Sequence, residues 1–254
     1  MLRCVPFFIV LIIVQSISVT VNAQLINIEE KRLNSNEEGW KGNIDFNAKY
    51  TQNTQMVWQL SNKVSIQYRK KNHTHLFLND ISLVRSNQSD LVNYGFAHYR
   101  YSNLVIPDKD LKWESYAQIQ YNSVQKIRQR LLLGSGFRFK IINTDSVYLS
   151  YGWSLMYEYE ETTIPEYSNL IRNSNYLSFD WKISKIWELK TIMYYQPSIG
   201  DFSDFRLSNV SNITHNLTEH ISLVFNLNIQ YDSNPPIEVP VNSFQTGILI
   251  RFKF

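Results

Sequence analysis

The sequence predicts an all-β chain, a transmembrane antiparallel β-barrel of the outer-membrane type with about twelve strands. Three observations carry that expectation. Apolar and polar residues alternate with period two through successive stretches, the spacing that sends neighbouring side chains to opposite faces of a strand. Aromatic residues make up 14% of the 254 residues, yet mean hydropathy is only -0.28, the balance expected when half of each strand is apolar and half polar. The last stretch, Asn242 to Phe254, sets Phe244, Thr246, Ile248, Ile250, Phe252 and Phe254 on one face and Gln245, Gly247, Arg251 and Lys253 on the other. A soluble protein would carry such a strand as a sticky edge, whereas a barrel in lipid needs an apolar outer face and a paired edge.

At the other end, Arg3 precedes an apolar core from Val5 to Val14, and Val21-Asn22-Ala23 has the small-residue pattern of a cleavage site. Together these describe a secretory signal peptide, because the apolar run is shorter than the roughly 20 residues of a spanning helix. Residues 1–23 are therefore expected to leave the mature chain, residues 24–38 to form a periplasmic lead-in or small plug, and residues 39–254 to form the barrel. Cys4 is the one cysteine and lies in the signal, so disulfides, thiol nucleophiles and zinc-thiolate sites are not expected in the mature chain. The formal charge of +3 and pI near 8.8 do not make the basic stripe of a nucleic-acid binder.

The clearest strand comes first, with Trp40, Gly42, Ile44, Phe46, Ala48 and Tyr50 alternating with Lys41, Asn43, Asp45, Asn47 and Lys49. A second runs from Met56 to Arg69. Residues from His75 to Arg85 and from Asn93 to Asn103 are strand-like, with registers that the pattern leaves open. Alternation is plain again from Trp113 to Asn122, from Arg128 to Ile141 and from Val147 to Glu160. Four more strands are expected at Asn175 to Ser184, Trp187 to Gln196, Phe205 to Asn216 and His220 to Tyr231, before the terminal one. With a periplasmic N-terminus, the short turns such as Asn143 to Ser146 fall on the periplasmic side, and the longer loops, including Glu161 to Ser174 and Asp232 to Val241, fall outside.

From Lys112 onward the chain resembles the bacterial family of salt-induced outer-membrane proteins, a domain family of unknown function. The resemblance is carried by W-E-x-Y-A-Q-x-Q-Y at Trp113 to Tyr121, R-x-R-L-L-L-G-S-G-F-R at Arg128 to Arg138, D-F-S-D-F-R-L at Asp201 to Leu207, Y-D-S-N-P-P at Tyr231 to Pro236, and the aromatic terminus. It implies an outer-membrane barrel linked to envelope or osmotic stress, and it brings no catalytic residues.

The polar strand faces hold the candidate lumen charges: Arg128, Arg130, Arg138, Lys140, Glu158, Glu160, Asp180, Lys182 and Arg251, with Glu188, Lys190 and Lys253 beside them. They could select solutes in a pore, or they could close the lumen by ion pairs between neighbouring strands. Both signs occur on adjacent strands, which favours the second reading. The inward glycines Gly134, Gly136 and Gly152 would make room for long charged side chains. A lipid hydrolase would need a serine, a histidine and an orienting polar group; of the five histidines only His98 lies well inside an expected strand, and none shows metal spacing. Asp201, Asp204 and Arg206 read as turn structure at a loop edge, with a binding site as the less favoured alternative. No cofactor is expected. The expected partners are outer-membrane lipid and the barrel-assembly machinery, with Phe252 and Phe254 as its recognition signal.

Overall fold

In the computed structural model, residues 25–33, 37–54, 56–86, 89–163 and 166–252 are described. Twelve strands follow one another: β1 (Gly39–Gln52), β2 (Met56–Lys70), β3 (His73–Ser86), β4 (Ser89–Ile106), β5 (Leu111–Asn122), β6 (Ile127–Asn143), β7 (Val147–Thr162), β8 (Tyr167–Lys182), β9 (Trp187–Pro197), β10 (Phe205–Asn216), β11 (Ile221–Asp232) and β12 (Asn242–Phe252). They make one antiparallel sheet in which every strand pairs with its sequence neighbours, in the order β1 to β12. A single turn of 3-10 helix, Pro107–Lys109, joins β4 to β5. No helix among the described residues is long and apolar enough to cross a membrane.

The distribution of side chains is the reverse of that in a water-soluble domain. On β8, Arg172, Ser174, Tyr176 and Ser178 are buried, while Tyr167, Ile171, Leu177 and Trp181 on the opposite face are exposed. On β7, Met156, Glu158 and Glu160 are buried while Leu155 and Tyr157 are exposed. The polar face is thus the inner one. The sheet curls strongly enough that Arg206 on β10 reaches Glu158 on β7 at 2.6 Å.

Rings on the outer face collect in two bands. At the end of the short turns, Trp40 and Tyr68 lie 4.8 Å apart, His75 and Tyr101 5.2 Å, Tyr101 and Trp113 5.8 Å, and Trp187 and His215 4.2 Å. At the other end, Tyr50 meets Trp58 at 4.4 Å, and Phe205 sits between Tyr195 and Tyr231 at 5.8 and 5.3 Å. Aliphatic side chains such as Ile44, Leu133, Ile171 and Ile213 lie between the bands, all exposed.

Some expectations change. The strands at His75 to Arg85 and Asn93 to Asn103 extend to His73–Ser86 and Ser89–Ile106. β8 starts at Tyr167, not at Asn175, so the long loop expected from Glu161 to Ser174 largely becomes strand. Asn169, Asn173 and Asn175 interrupt the apolar outer face there and disguise the alternation; Asn169 and Asn175 accept hydrogen bonds from Tyr157 at 2.8 Å and Tyr151 at 2.6 Å. None of the inward glycines makes room for a charged side chain: Gly134 and Gly152 receive rings, and Gly136 lies against the backbone of Trp153 and Ser154. Tyr116 lies across from Gly134 and Tyr176 across from Gly152 in the ladder, and a Cβ at either glycine would collide with the ring.

β1 and β12 stand at the two ends of the ladder order, and no ladder joins them among the described residues. Ile44 on β1 and Ile248 on β12 are each 70% exposed, against 42% for Ile213 and 39% for Phe225 on inner strands, as edge strands should be.

Gly152→Val should displace the Tyr176 ring and lower stability by about 1–3 kcal/mol, the usual effect of overpacking. Gly200→Val, where a Cβ meets open space, should change it by less than about 0.5 kcal/mol. Denaturant midpoints followed by tryptophan fluorescence compare the two.

Candidate functional site

The inner face is organised around the N-terminal segment, residues 25–33, which crosses the concavity of the sheet. Its apolar side chains anchor it on two walls. Leu25 joins Tyr176, Ile192 and Tyr194 of β8 and β9, while Ile28 joins Leu76, Leu78 and Phe96 of β3 and β4. Polar contacts repeat the arrangement. The Leu25 N–H donates to Gln230 Oε1 and the Leu25 carbonyl accepts from Gln230 Nε2, both at 3.2 Å. The Glu29 N–H donates to the Tyr194 hydroxyl at 3.3 Å, and Lys31 pairs with Asp80 at 3.4 Å.

Glu29 and Arg32 bring two charges into a buried group with Arg100 of β4 and Glu114 of β5. Glu29 accepts from Arg32 at 2.8 Å and from Arg100. Glu114 accepts from Arg32 at 2.9 Å, from Arg100 at 3.2 Å and from the Ser102 hydroxyl at 3.0 Å. Two carboxylates thus balance two guanidiniums in a place where a lone charge would be very costly. Burial pushes the Glu29 carboxyl up, but Arg32 and Arg100 outweigh it and hold the group below its ordinary value of 4.5. The stability that Glu29 contributes is therefore complete above 4.5 and is lost only as pH falls through the lower folded value.

A second buried group lies toward the other end of the sheet. Glu158 accepts from Arg206 at 2.6 Å and Arg172 at 3.0 Å, with Arg130 at 4.0 Å. Glu160 pairs with Arg130 and with Arg206 at 3.0 Å. Asp232 takes the Arg206 Nε at 2.8 Å, and Asp204 takes Arg172 at 3.0 Å. Side chains from β6, β7, β8, β10 and β11 converge here, and Arg130, Glu158 and Arg172 are at most 2% exposed.

Of the residues singled out in the sequence, Arg130, Glu158 and Glu160 belong to this second group. Arg138 is buried and donates to the Tyr148 hydroxyl at 2.6 Å, and Lys140 pairs with Asp110. Asp180 lies 3.9 Å from Lys190 and is half-buried. Lys182, Glu188 and Arg251 are exposed. Arg128 departs from the expected grouping with Arg130: a register shift between Ile127 and Gln129 breaks the alternation, leaving Arg128 on the exterior against Glu161 at 2.9 Å. Phe252 is exposed at 62%; Phe254, Lys253, Cys4 and the segment 1–23 lie outside the described residues. His98 is buried, its Nδ1 within 2.9 Å of Gln118 Oε1. No group of three or more His, Cys, Asp or Glu among the described residues could hold a metal ion.

Sequence reasoning missed Arg100, Glu114 and Arg172 and read Asp204 and Arg206 as a turn. Period-two spacing from His98 would have placed Arg100 on the inner face, and spacing from Arg206 would have done the same for Ser208 and Val210. A cavity of about 850 Å³ opens beside the first group at the short-turn end, bounded by Arg32, Arg69, Lys112, Arg138, Lys140 and Tyr148 among others.

Glu158→Ala leaves three guanidiniums short of a partner and should cost about 3–5 kcal/mol, whereas Arg128→Ala, at an exposed pair, should cost less than about 1 kcal/mol. Unfolding midpoints of the native protein and Glu29→Gln should differ at neutral pH and converge as pH falls below 4.5.

No curated protein matches the sequence. A family model described as protein of unknown function, DUF481, matches residues 58–254. The match starts in β2, well before the Lys112 block from which the resemblance was read, and leaves the N-terminal segment and β1 outside it. Since it covers most of the chain, the protein belongs to the DUF481 family.

Proposed function

We propose that this protein is an outer-membrane β-barrel with a structural role in the envelope, its lumen shut by its own N-terminal segment and by buried ion pairs. The observation that carries the reading is the inverted sheet, with charges inside, aliphatic side chains outside and two outer bands of rings. Trp40 and Tyr50 mark the two bands on β1. At about 3.4 Å per residue they are about 34 Å apart along the strand, and a tilt near 45° leaves about 24 Å along the membrane normal. An outer-membrane barrel has an apolar band of about 25 Å between its aromatic girdles.

In lipid the edges of β1 and β12 cannot stay unpaired, since each free N–H or carbonyl would cost several kcal/mol. We therefore assign closure of the barrel to pairing between these two strands, with outer-membrane lipid around it and the barrel-assembly machinery as the partner that inserts it. A link to osmotic or envelope stress fits a barrel that carries no continuous pore. His98 has a glutamine as its side-chain partner where a hydrolase would need a serine, so the reading calls on no catalysis.

A small passive channel is the competing reading, favoured by the cavity that enters from the short-turn end. The native protein in a planar bilayer should be silent, and deletion of residues 25–33 should produce conductance steps. Steps of the same size from the native protein would make it a channel. Single cysteines placed along β1 and β12 should cross-link in membranes, the barrel should migrate faster unboiled than boiled in detergent gels, and the protein should fractionate with the outer membrane. Soluble fractionation with no gel shift would remove the membrane assignment altogether.

A further inference from the structure

The cavity at the short-turn end has a charge balance that the ion pairs of the inner face do not explain. Six cations and three carboxylates line its wall, which runs from β2 to β8 and includes the β4–β5 turn. Its volume, about 850 Å³, is within the range of small-molecule sites.

Arg138 is the decisive residue. It is 9% exposed, and among the described residues no Asp or Glu oxygen lies within ion-pair distance of it; its neighbour is the neutral Tyr148 hydroxyl. Its Nε is buried and has no hydrogen-bond partner. The nearby carboxylates of Glu29 and Glu114 are committed to Arg32 and Arg100. Lys112 and Lys140 converge on a single carboxylate, Asp110. The carboxylates of Glu29, Glu114 and Asp180 act on Arg138 only from beyond contact, so its buried guanidinium keeps hydrogen-bonding capacity that no carboxylate fills, and a guanidinium fork flanked by ammonium groups matches the oxygens of a phosphate.

We propose that this cavity binds a small, water-soluble, polyvalent oxyanion, a phosphate ester or pyrophosphate, with Arg138 as the fork and Lys112 and Lys140 as the supporting charges. The anion enters from the short-turn end and stops at Arg32, where the N-terminal segment closes the cavity. The site depends on the curl of the sheet and not on insertion in a membrane. Binding by a protein that fails to insert would therefore sink the function proposed above and leave this site standing.

The test is calorimetric titration of the full-length protein in zwitterionic detergent with inorganic pyrophosphate. The expected result is saturable binding at one site per chain. Arg138→Gln should weaken it about tenfold or more, the share of a charge-assisted hydrogen bond, and Arg138→Lys should restore part of the loss. Arg128→Gln, at the far end and outside the cavity, should leave binding unchanged. Folding of each variant is checked by its far-ultraviolet spectrum and unboiled gel mobility, and if Arg138→Gln fails to fold, Lys112→Gln and Lys140→Gln take its place with the same expectation. Absence of saturable binding, or equal affinity in folded cavity variants, overturns the proposal. Glycerol phosphate should compete at least as well as dihexanoyl phosphatidate; stronger competition by the acylated compound would overturn the soluble ligand in favour of a lipid headgroup.

Discussion

A carboxylate removed from water must be met by cations that cannot move away, and Glu158 is where this protein meets that demand. Arg130, Arg172 and Arg206 arrive from three different strands, and Arg206 does so from β10, which is not a ladder neighbour of β7. Backbone hydrogen bonds alone would allow the sheet many curvatures. The pairing of Arg206 with Glu158 holds one of them, and the inner face inherits its shape from that choice. Ion pairs of this kind contribute more to a single arrangement than to net stability, because desolvation offsets much of the attraction.

The N-terminal segment uses the concavity so defined. It adds Glu29 as a second carboxylate beside Arg100, which Glu114 already meets, and brings Arg32 to both, so the first charge group is complete only when segment and sheet are together. Its apolar contacts are small, Leu25 on one wall and Ile28 on the other. Such a segment is positioned by matched charge more than by buried area.

The architecture was legible where each strand keeps one face apolar. β1, β5 and β7 show it, and the strand count follows from them with the spacing of turns. Legibility failed where asparagine replaces an apolar residue on the outer face, as at Asn169 and Asn173, and where a register shift breaks the period, as at Arg128. The candidate charges were legible only as a face. Arg130, Glu158 and Glu160 share it, yet nothing in their spacing says that Arg206 will complete the group, since that contact depends on curvature. Gly134 and Gly152 were read correctly as space, but the occupant was misjudged: Tyr116 and Tyr176 sit on the neighbouring strands in the ladder, and registers are not visible in one chain. The N-terminal segment could be read only as lead-in or plug, because residues 24–38 carry charge without period.

The clasp between Leu25 and Gln230 joins residues separated by 205 positions. That separation has a consequence for the order of assembly. The segment is made first, yet its binding surface on β9 and β11 does not exist until nearly all of the chain has been synthesised. Contacts this remote in sequence form slowly, because chain entropy must be given up before they can form. The sheet must therefore gather around a tether that is already in place, or remain open long enough for the tether to thread in. In either course the hold of Leu25 on Gln230 is fixed only after β11 has joined the sheet.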